Sequence, residues 1–455
     1  MRKSLLCSVL ILAGLASASA QDNLNTITIF DEVVFYDGYL MDKNPDKDVE
    51  DGILRHSCSL YATKLTDPQL DALGLKLDVN VTVSACCDNY DRIGNINLAF
   101  VPKGSETYDP QTTPRIEIGR FITPFMDKNV KPNQVPYAYE MDYISTLLRD
   151  EKIREDHDIW IEFELFGIPY AANTQIKGCE GRSDVFAGTL EFATSTPAGP
   201  AKGAVLVPIV IKKPEYIGNN LNNYNEVATD EIGKTVKTYT FEVPEDVLTS
   251  QIVLITSNHG ANNDGEEYNR RWHNVYLDDE LVLVYRPGRN SCEPFRQYNT
   301  QSNGIYGQSK KSDALWQSFS NWCPGDVIDN RIIDCENLSK GEHKVRIEVL
   351  DAVFPEQQGD IPVSMFFLGS TEAEPNSVKS LKATDEYPVK IFAKEGSVFV
   401  DGNCDVDSIT VYSYAGEKLA VNYGNSSLET PGITGFVIVC VEMADGMAYS
   451  AKIKL

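Results

Sequence analysis

Ile159-Trp160-Ile161-Glu162-Phe163-Glu164-Leu165-Phe166 alternates without interruption. In an extended strand, successive side chains point to opposite faces. Ile159, Ile161, Phe163 and Leu165 therefore form one wholly apolar face, which needs a core. Trp160, Glu162, Glu164 and Phe166 form the other. Carboxylates beside large aromatic rings suit a sugar site, where rings stack on the apolar faces of sugars and acids bind hydroxyls. For this segment alone, the plainer alternative is a solvated sheet face with chance aromatics.

Outward from this stretch the same period recurs. Val79 to Val83, Asn95 to Phe100, Arg115 to Ile122, Thr235 to Val243, Gln251 to Thr256, Glu280 to Tyr285 and Lys344 to Leu350 all read as short strands between turn residues. Asp278-Asp279 before Leu281 to Tyr285 reads as a hairpin turn. Helical periodicity is scarce, with one short helix expected over Tyr143 to Glu151. Many short strands imply an all-β chain built from sandwiches of the jelly-roll or immunoglobulin kind.

Two stretches read as linkers: Thr194 to Gly203, rich in proline, glycine and small residues, and Ser370 to Asn376. They divide the chain into a first sandwich over 21–196, a second over 197–370 and a small β-sandwich over 376–455. Residues 1–20 read as a secretory leader. Arg2 and Lys3 precede the apolar run Leu5 to Leu15, and Ala18-Ser19-Ala20 offers a cleavage site. The run is too short to span a bilayer, so the mature protein is expected to be secreted or held at the cell surface.

The formal net charge of −25 repels phosphate backbones and argues against a nucleic-acid partner. Nine cysteines follow the leader: Cys58, Cys86, Cys87, Cys179, Cys292, Cys323, Cys335, Cys404 and Cys440. In an exported chain these read as disulfides, with at least one thiol left over. Adjacent Cys86 and Cys87 are expected to reach different partners, Cys292–Cys323 would close the long polar stretch from Arg286 to Gly325, and Cys404–Cys440 could bridge the last segment. The five histidines form no ligand motif, so neither a metal nor an organic cofactor is expected.

Three segments carry chemistry. The first is the alternating strand itself. The second is Cys86 to Ile93 (CCDNYDRI), where Asp91-Arg92 sits between two strands; alone, such a pair is usually a turn former with a surface ion pair. The third is His259 to His273 (HGANNDGEEYNRRWH), a loop that concentrates Glu266, Glu267, Tyr268, Arg270, Arg271, Trp272 and His273 more densely than a connector needs.

Together these segments resemble the peptide:N-glycosidase F family of bacterial amidases. The most specific match is Glu117 to Pro124 (EIGRFITP). Cys87, Asp88, Asp91 and Arg92 fit its Cys-Asp-x-x-Asp-Arg motif, and Ile161 to Phe166 fits its glutamate-bearing strand. Glu267, Arg271 and His273 fit its glutamate loop. Trp322-Cys323-Pro324-Gly325, with Cys292 upstream, completes an ordered set over about residues 25–370. The resemblance implies two jelly rolls side by side with the site at their junction. Asp91 is then the principal catalytic acid, with Glu267 and Glu164 as further catalytic carboxylates. Arg92, Trp160, Phe166, Arg271 and His273 are then expected on the substrate. The family's cysteines flanking the loop glutamate fall here near Gly265 and Asn269, and its arginine before Trp-Cys-Pro-Gly falls within Ser318 to Asn321.

The implied substrate is an N-linked glycoprotein or glycopeptide, cut by a monomer between asparagine and the innermost N-acetylglucosamine. A secreted glycan-binding jelly-roll protein without catalysis is the alternative. A copper monooxygenase on the same paired fold is opposed by the histidine count, and a purely structural surface protein is a third reading. Ser408 to Leu419, the strand Gly435 to Val439 and the lysine-bearing end Lys452 to Leu455 resemble a sorting domain of type IX secretion, which would make that machinery a partner.

Overall fold

The computed structural model describes residues 24–40, 49–211, 221, 231–260, 266–301, 304–307, 309–354, 359–372, 389–394, 396–402, 405–444 and 447–455. The first sandwich pairs two antiparallel sheets. One has the order Asn25–Tyr36, Asp184–Thr194, Leu77–Ala85, Gln134–Glu140. The other runs Val327–Ile328, Arg115–Ile122, Ile93–Pro102, His157–Leu165, Leu60–Lys64, Ile53–Arg55. The apolar face of His157–Leu165 does what its alternation requires. Ile159, Ile161, Phe163 and Leu165 join Phe35, Val81, Phe186 and Leu190 of the facing sheet in one core.

The second sandwich sets Ala204–Val210, Val363–Ser370, Thr249–Thr256 and Arg331–Glu336 against Val236–Val243, Gly341–Glu348, His273–Leu277 and Glu280–Tyr285. Seven of the eight residues of Thr249–Thr256 and all of Val363–Ser370 are buried. Their sheet is covered twice: Ile252, Leu254 and Phe367 face the second core, while Val253, Phe366 and Leu368 join the first. A strand buried on both faces reads as a continuous apolar run.

The seam is also polar. Arg120, fully buried, grips Glu117 through two hydrogen bonds of 2.8 Å and reaches the second sandwich at Ser257 Oγ and the Pro362 carbonyl, both 2.9 Å away. The short strand Val327–Ile328, late in the chain, pairs with Arg120 and Phe121 of the first sandwich. The most specific sequence string, Glu117 to Pro124, is therefore largely a clasp between domains.

The last described segment forms a third small pair of sheets. Val389–Lys394, Ser397–Gly402 and Ser427–Glu429 face Lys418–Tyr423, Val406–Tyr412, Phe436–Met443 and Ala448–Lys454. It packs on the second sandwich through Ile438 and Cys440 against Tyr276, Leu281 and Val284, with an ion pair of 2.9 Å between Arg286 and Glu442.

Several local expectations resolve here. Asp278 and Asp279 adopt φ of 49° and 70° between the paired Leu277 and Glu280, a two-residue hairpin turn. The single helix becomes two, Asp142–Arg149 and Glu151–Asp156. Asp150 between them is extended, and its carboxylate caps the second at Ile153 N, 3.0 Å away. Cys292–Cys323 is bridged as expected, and Cys87 pairs with Cys179. Cys86 does not find the partner expected for it: it carries a free thiol, as do Cys335 and Cys440. Cys404, the expected partner of Cys440, lies outside the described residues.

Candidate active site

The first half of the site is the crossing from Leu77–Ala85 to Ile93–Pro102, between the two sheets of the first sandwich. Four independent ties hold it. Cys87 is bridged to Cys179. Buried Asp88 accepts from the Ile168 amide and from Arg92 Nε, each at 2.7 Å. The Asn89 side chain donates to Gln175 Oε1 at 2.8 Å. Thr123 Oγ accepts from Arg92 N at 2.7 Å and donates to the Tyr90 carbonyl at 3.1 Å. Thr123 thus fixes the backbone on both sides of Asp91.

The second half comes from the other sandwich. Glu267 lies in the short helical turn Glu266–Tyr268. Its backbone amide donates to the Gly260 carbonyl at 3.2 Å, and the Gly260 amide donates to Glu267 Oε2 at 3.0 Å. The Asn321 side-chain amide donates to the Glu267 carbonyl. Tyr268 packs against Trp322 and Phe319 at ring separations of 6.0 and 6.4 Å, and the Trp322 indole donates to the Asn258 carbonyl at 2.9 Å. The Glu267 turn is thus held by this side-chain amide and by aromatic packing anchored on the loop that Cys292–Cys323 closes.

The two halves share an electrostatic field. Removal from water, then the charge of Glu267, push the Asp91 carboxyl up to about 7, against a smaller pull from Arg92. Burial likewise raises Glu267, which the Gly260 amide and Tyr268 partly offset. The Tyr268 hydroxyl is raised by burial and by both carboxylates. A carboxyl removed from water beside a second negative charge holds its proton toward neutrality.

The other expected residues divide. Glu164 is buried at the end of its strand, opposite Asn95 and Leu60, and its charge is felt by Arg115. Phe166 follows on the same face, half-buried, with Tyr39 edge-on at 5.4 Å. Trp160 does not face a cleft. It is 5% exposed, packed with Ala62, Ala99 and Val101 under Tyr108, because the strand has run beneath the loop bearing Tyr108 at that point. His273 is fully buried, stacked 4.6 Å from Tyr285 and held neutral, its pKa pushed down to about 3 by burial. It faces the second core, because it opens the strand His273–Leu277 on its inward side. Arg271 is engaged by Glu266 through hydrogen bonds of 2.7 and 2.8 Å. That pair ties the loop to Val353, whose amide donates to Glu266 at 3.1 Å.

Glu162, on the same strand face as Glu164, is consumed by structure. It accepts from Arg115, from Asn97 at 3.0 Å and from Tyr108 at 2.7 Å, and is fully buried. Sequence reasoning misses Thr123 and Asn321, and names Tyr268 only among the dense side chains of its loop. Thr123 lies inside the quoted Glu117 to Pro124 string and Tyr268 beside Glu267; no local signal marks Asn321, which acts across 54 residues. Among the described residues no cluster of His, Cys, Asp and Glu could hold a metal ion.

Two family models match the chain: "Peptide-N-glycosidase F, N terminal" over residues 26–180 and "Peptide-N-glycosidase F, C terminal" over residues 223–368. Together they span well over half of the sequence. Among solved structures, PNGF-II in a P21 crystal form is similar at 19% identity and a TM-score of 0.56, covering 77% of this chain and 66% of that one. This chain thus spans just under two thirds of PNGF-II. PNGase F, described as a glycosylasparaginase from Flavobacterium meningosepticum, aligns at 16% identity and a TM-score of 0.48, covering 77% of this chain and 96% of that one. At such identities the likeness to PNGF-II speaks for the fold. No curated protein sequence matches.

Proposed function

The chain belongs to the peptide-N-glycosidase F family, and on that premise we propose that it hydrolyses the amide between an asparagine side chain and the innermost N-acetylglucosamine of an N-linked glycan. The observation that carries the reading is that burial and the charge of Glu267, contributed by the other sandwich, push the Asp91 carboxyl up to about 7. An unactivated amide needs a nucleophilic water, a donor for the oxyanion and a proton for the departing nitrogen. A carboxylate with a pKa near the working pH takes a proton and gives it back efficiently, which contributes roughly 10²–10⁴-fold.

In this scheme Asp91 takes a proton from water as the water oxygen attacks the side-chain carbonyl carbon, and Glu267 helps to hold that water. Arg92, kept in place by Asp88, stabilises charge developing on the carbonyl oxygen. The C–N bond then breaks and the proton held by Asp91 passes to the leaving nitrogen. The products are an aspartyl peptide and a glycosylamine. Glu164 binds the first sugar through its hydroxyls, with Phe166 alongside. The substrate is a glycoprotein or glycopeptide, and neither metal nor organic cofactor enters a step.

The test is incubation with a defined N-glycopeptide in heavy-oxygen water. Conversion of asparagine to aspartate carrying one label supports the proposal. Glycan binding without release would leave the non-catalytic reading instead. Residues 1–20 as an export leader and 376–455 as a sorting module are further proposals. The mass of the exported protein, starting at Gln21 and with or without the last segment, decides both.

A further inference from the structure

Beside Phe166 of the proposed amidase site lie two rings that the site does not use. Tyr39 and Tyr170 are 64% and 62% exposed, although tyrosine usually buries its ring. Their rings stack at 6.5 Å and 26°, and Tyr39 stands edge-on to Phe166 at 5.4 Å. Three contiguous aromatic side chains, two of them largely in water, make a surface rather than a core.

That surface is built, not incidental. Asp37, buried, accepts from the Tyr39 amide at 3.1 Å and anchors the turn through its own amide to the Ser183 carbonyl at 2.8 Å. Gly38 donates to the Gly167 carbonyl at 2.9 Å, and lies so close to Phe166 that a Cβ there would stand 2.3 Å from the ring. The segment carrying Phe166 and Tyr170 is stitched to the loop of Asp91 at three points: Ile168 N to Asp88, Gln175 to Asn89, and Cys179 to Cys87. The rings therefore share one rigid unit with Asp91, and continue the strand face of Glu164 and Phe166 outward.

We infer that Tyr39 and Tyr170, continuing outward from Phe166, form a stacking surface for neutral pyranose rings beyond the first N-acetylglucosamine, an outer glycan subsite. It rests on the amidase reading, which puts the first sugar at Glu164. Phenol rings present an apolar face and a polar tip, matching the apolar face and hydroxyl rim of a sugar. A run of hydroxylated rings leaving the site along this face meets Phe166 first and the two tyrosines next. The surface selects for glycan length, and leaves the reacting bond to Asp91 and Glu267.

The experiment compares the full chain with Tyr39→Ala/Tyr170→Ala on one peptide bearing either a two-sugar chitobiose stub or a complete oligomannose glycan. Loss of two stacking contacts is expected to lower the ratio of kcat/KM, long over short, roughly tenfold, through KM on the long substrate. Tyr39→Phe/Tyr170→Phe should retain most of that ratio, since the ring remains. An unchanged ratio overturns the inference, as does an equal loss on both substrates, which would indicate a contact to the peptide or to the first sugar. If the unmodified protein cleaves neither glycopeptide, the amidase reading fails by itself. Titration of free oligomannose then decides the subsite: about tenfold weaker binding by the alanine pair sustains it, and equal binding sinks it.

Discussion

Two groups of carboxylates, one on the outward face of the six-stranded sheet and one on loops of the two sandwiches, have opposite fates. Glu162 and Glu117 are sunk between cations and donors. Arg115, Asn97 and Tyr108 close around Glu162, and Arg120 with Ser364 closes around Glu117. Asp91 instead feels the charge of Glu267 from the other sandwich, and Arg92 beside it is engaged by Asp88. The first arrangement pairs each carboxylate with an arginine and stiffens the sheet. The second makes charge costly, so that a proton is held close to neutral pH. Proximity of acids is common to both; the placement of the cations separates a joint from a reaction centre.

The largest expected effect breaks the second pair. Asp91→Asn keeps the shape and removes the titrating group, and should lower kcat by about 10³-fold in glycopeptide release. It should also stabilise the fold. The folded-state pKa of Asp91 is raised from 3.8 to about 7, so the native chain holds that proton more tightly than the unfolded one. Stability is thus lost as pH climbs between those values, and above pH 7 the variant should be more stable by roughly 1–3 kcal/mol in denaturant titration. A variant that is inactive but also destabilised would class Asp91 with the joint residues.

Next comes the converse. Glu162→Gln leaves Arg115 buried without its counter-charge, and should cost about 3–5 kcal/mol in chemical denaturation. Activity of the protein that remains folded should be close to normal. A greater loss of kcat than of stability would show that the polar row acts as one unit with the site.

The same distinction explains what the sequence could disclose. The alternation of Ile159 to Phe166 yields the strand, its buried face and hence a sandwich, because burial of alternate residues is a local requirement. The double burial of Thr249–Thr256 is visible only as an apolar run. Which of Glu162 and Glu164 is consumed by Arg115 depends on a cross-strand partner and on a loop tyrosine, and no spacing in the sequence encodes either. The same holds for Trp160 and His273. Both sit in segments that carry site residues, yet each side chain turns into packing decided by the neighbouring strand or loop. Asp91 and Glu267 are legible as candidates through motifs; the influence of the Glu267 charge on Asp91 is a product of tertiary structure.

A third and smaller effect sharpens the comparison through pH. If Asp91 must be ionised to accept a proton from water, kcat/KM should rise about tenfold per unit below pH 7 and level off above it, where the carboxylate is formed. Replacing Glu267 by glutamine removes the second contributor to the raised pKa, so the midpoint of the residual activity should move to lower pH. A profile that falls above pH 7 would instead make protonated Asp91 the essential form, a proton donor to the leaving nitrogen.

The smallest effect concerns Thr123, which belongs by position to the clasp string and by contact to the reaction centre. Its hydroxyl bonds the backbone on either side of Asp91, at 2.7 and 3.1 Å. Thr123→Val preserves volume and β-branching but removes both bonds, at a cost of roughly 1–3 kcal/mol for the unsatisfied partners. If Thr123 only braced the seam, the variant would be less stable with normal kinetics when folded. As a positioning residue it should lower kcat about tenfold with KM nearly unchanged, since the carboxylate is displaced while the sugar contacts stay in place. Serine at this position restores the hydroxyl and should recover most of kcat. Recovery of stability without recovery of kcat would assign Thr123 to the joint.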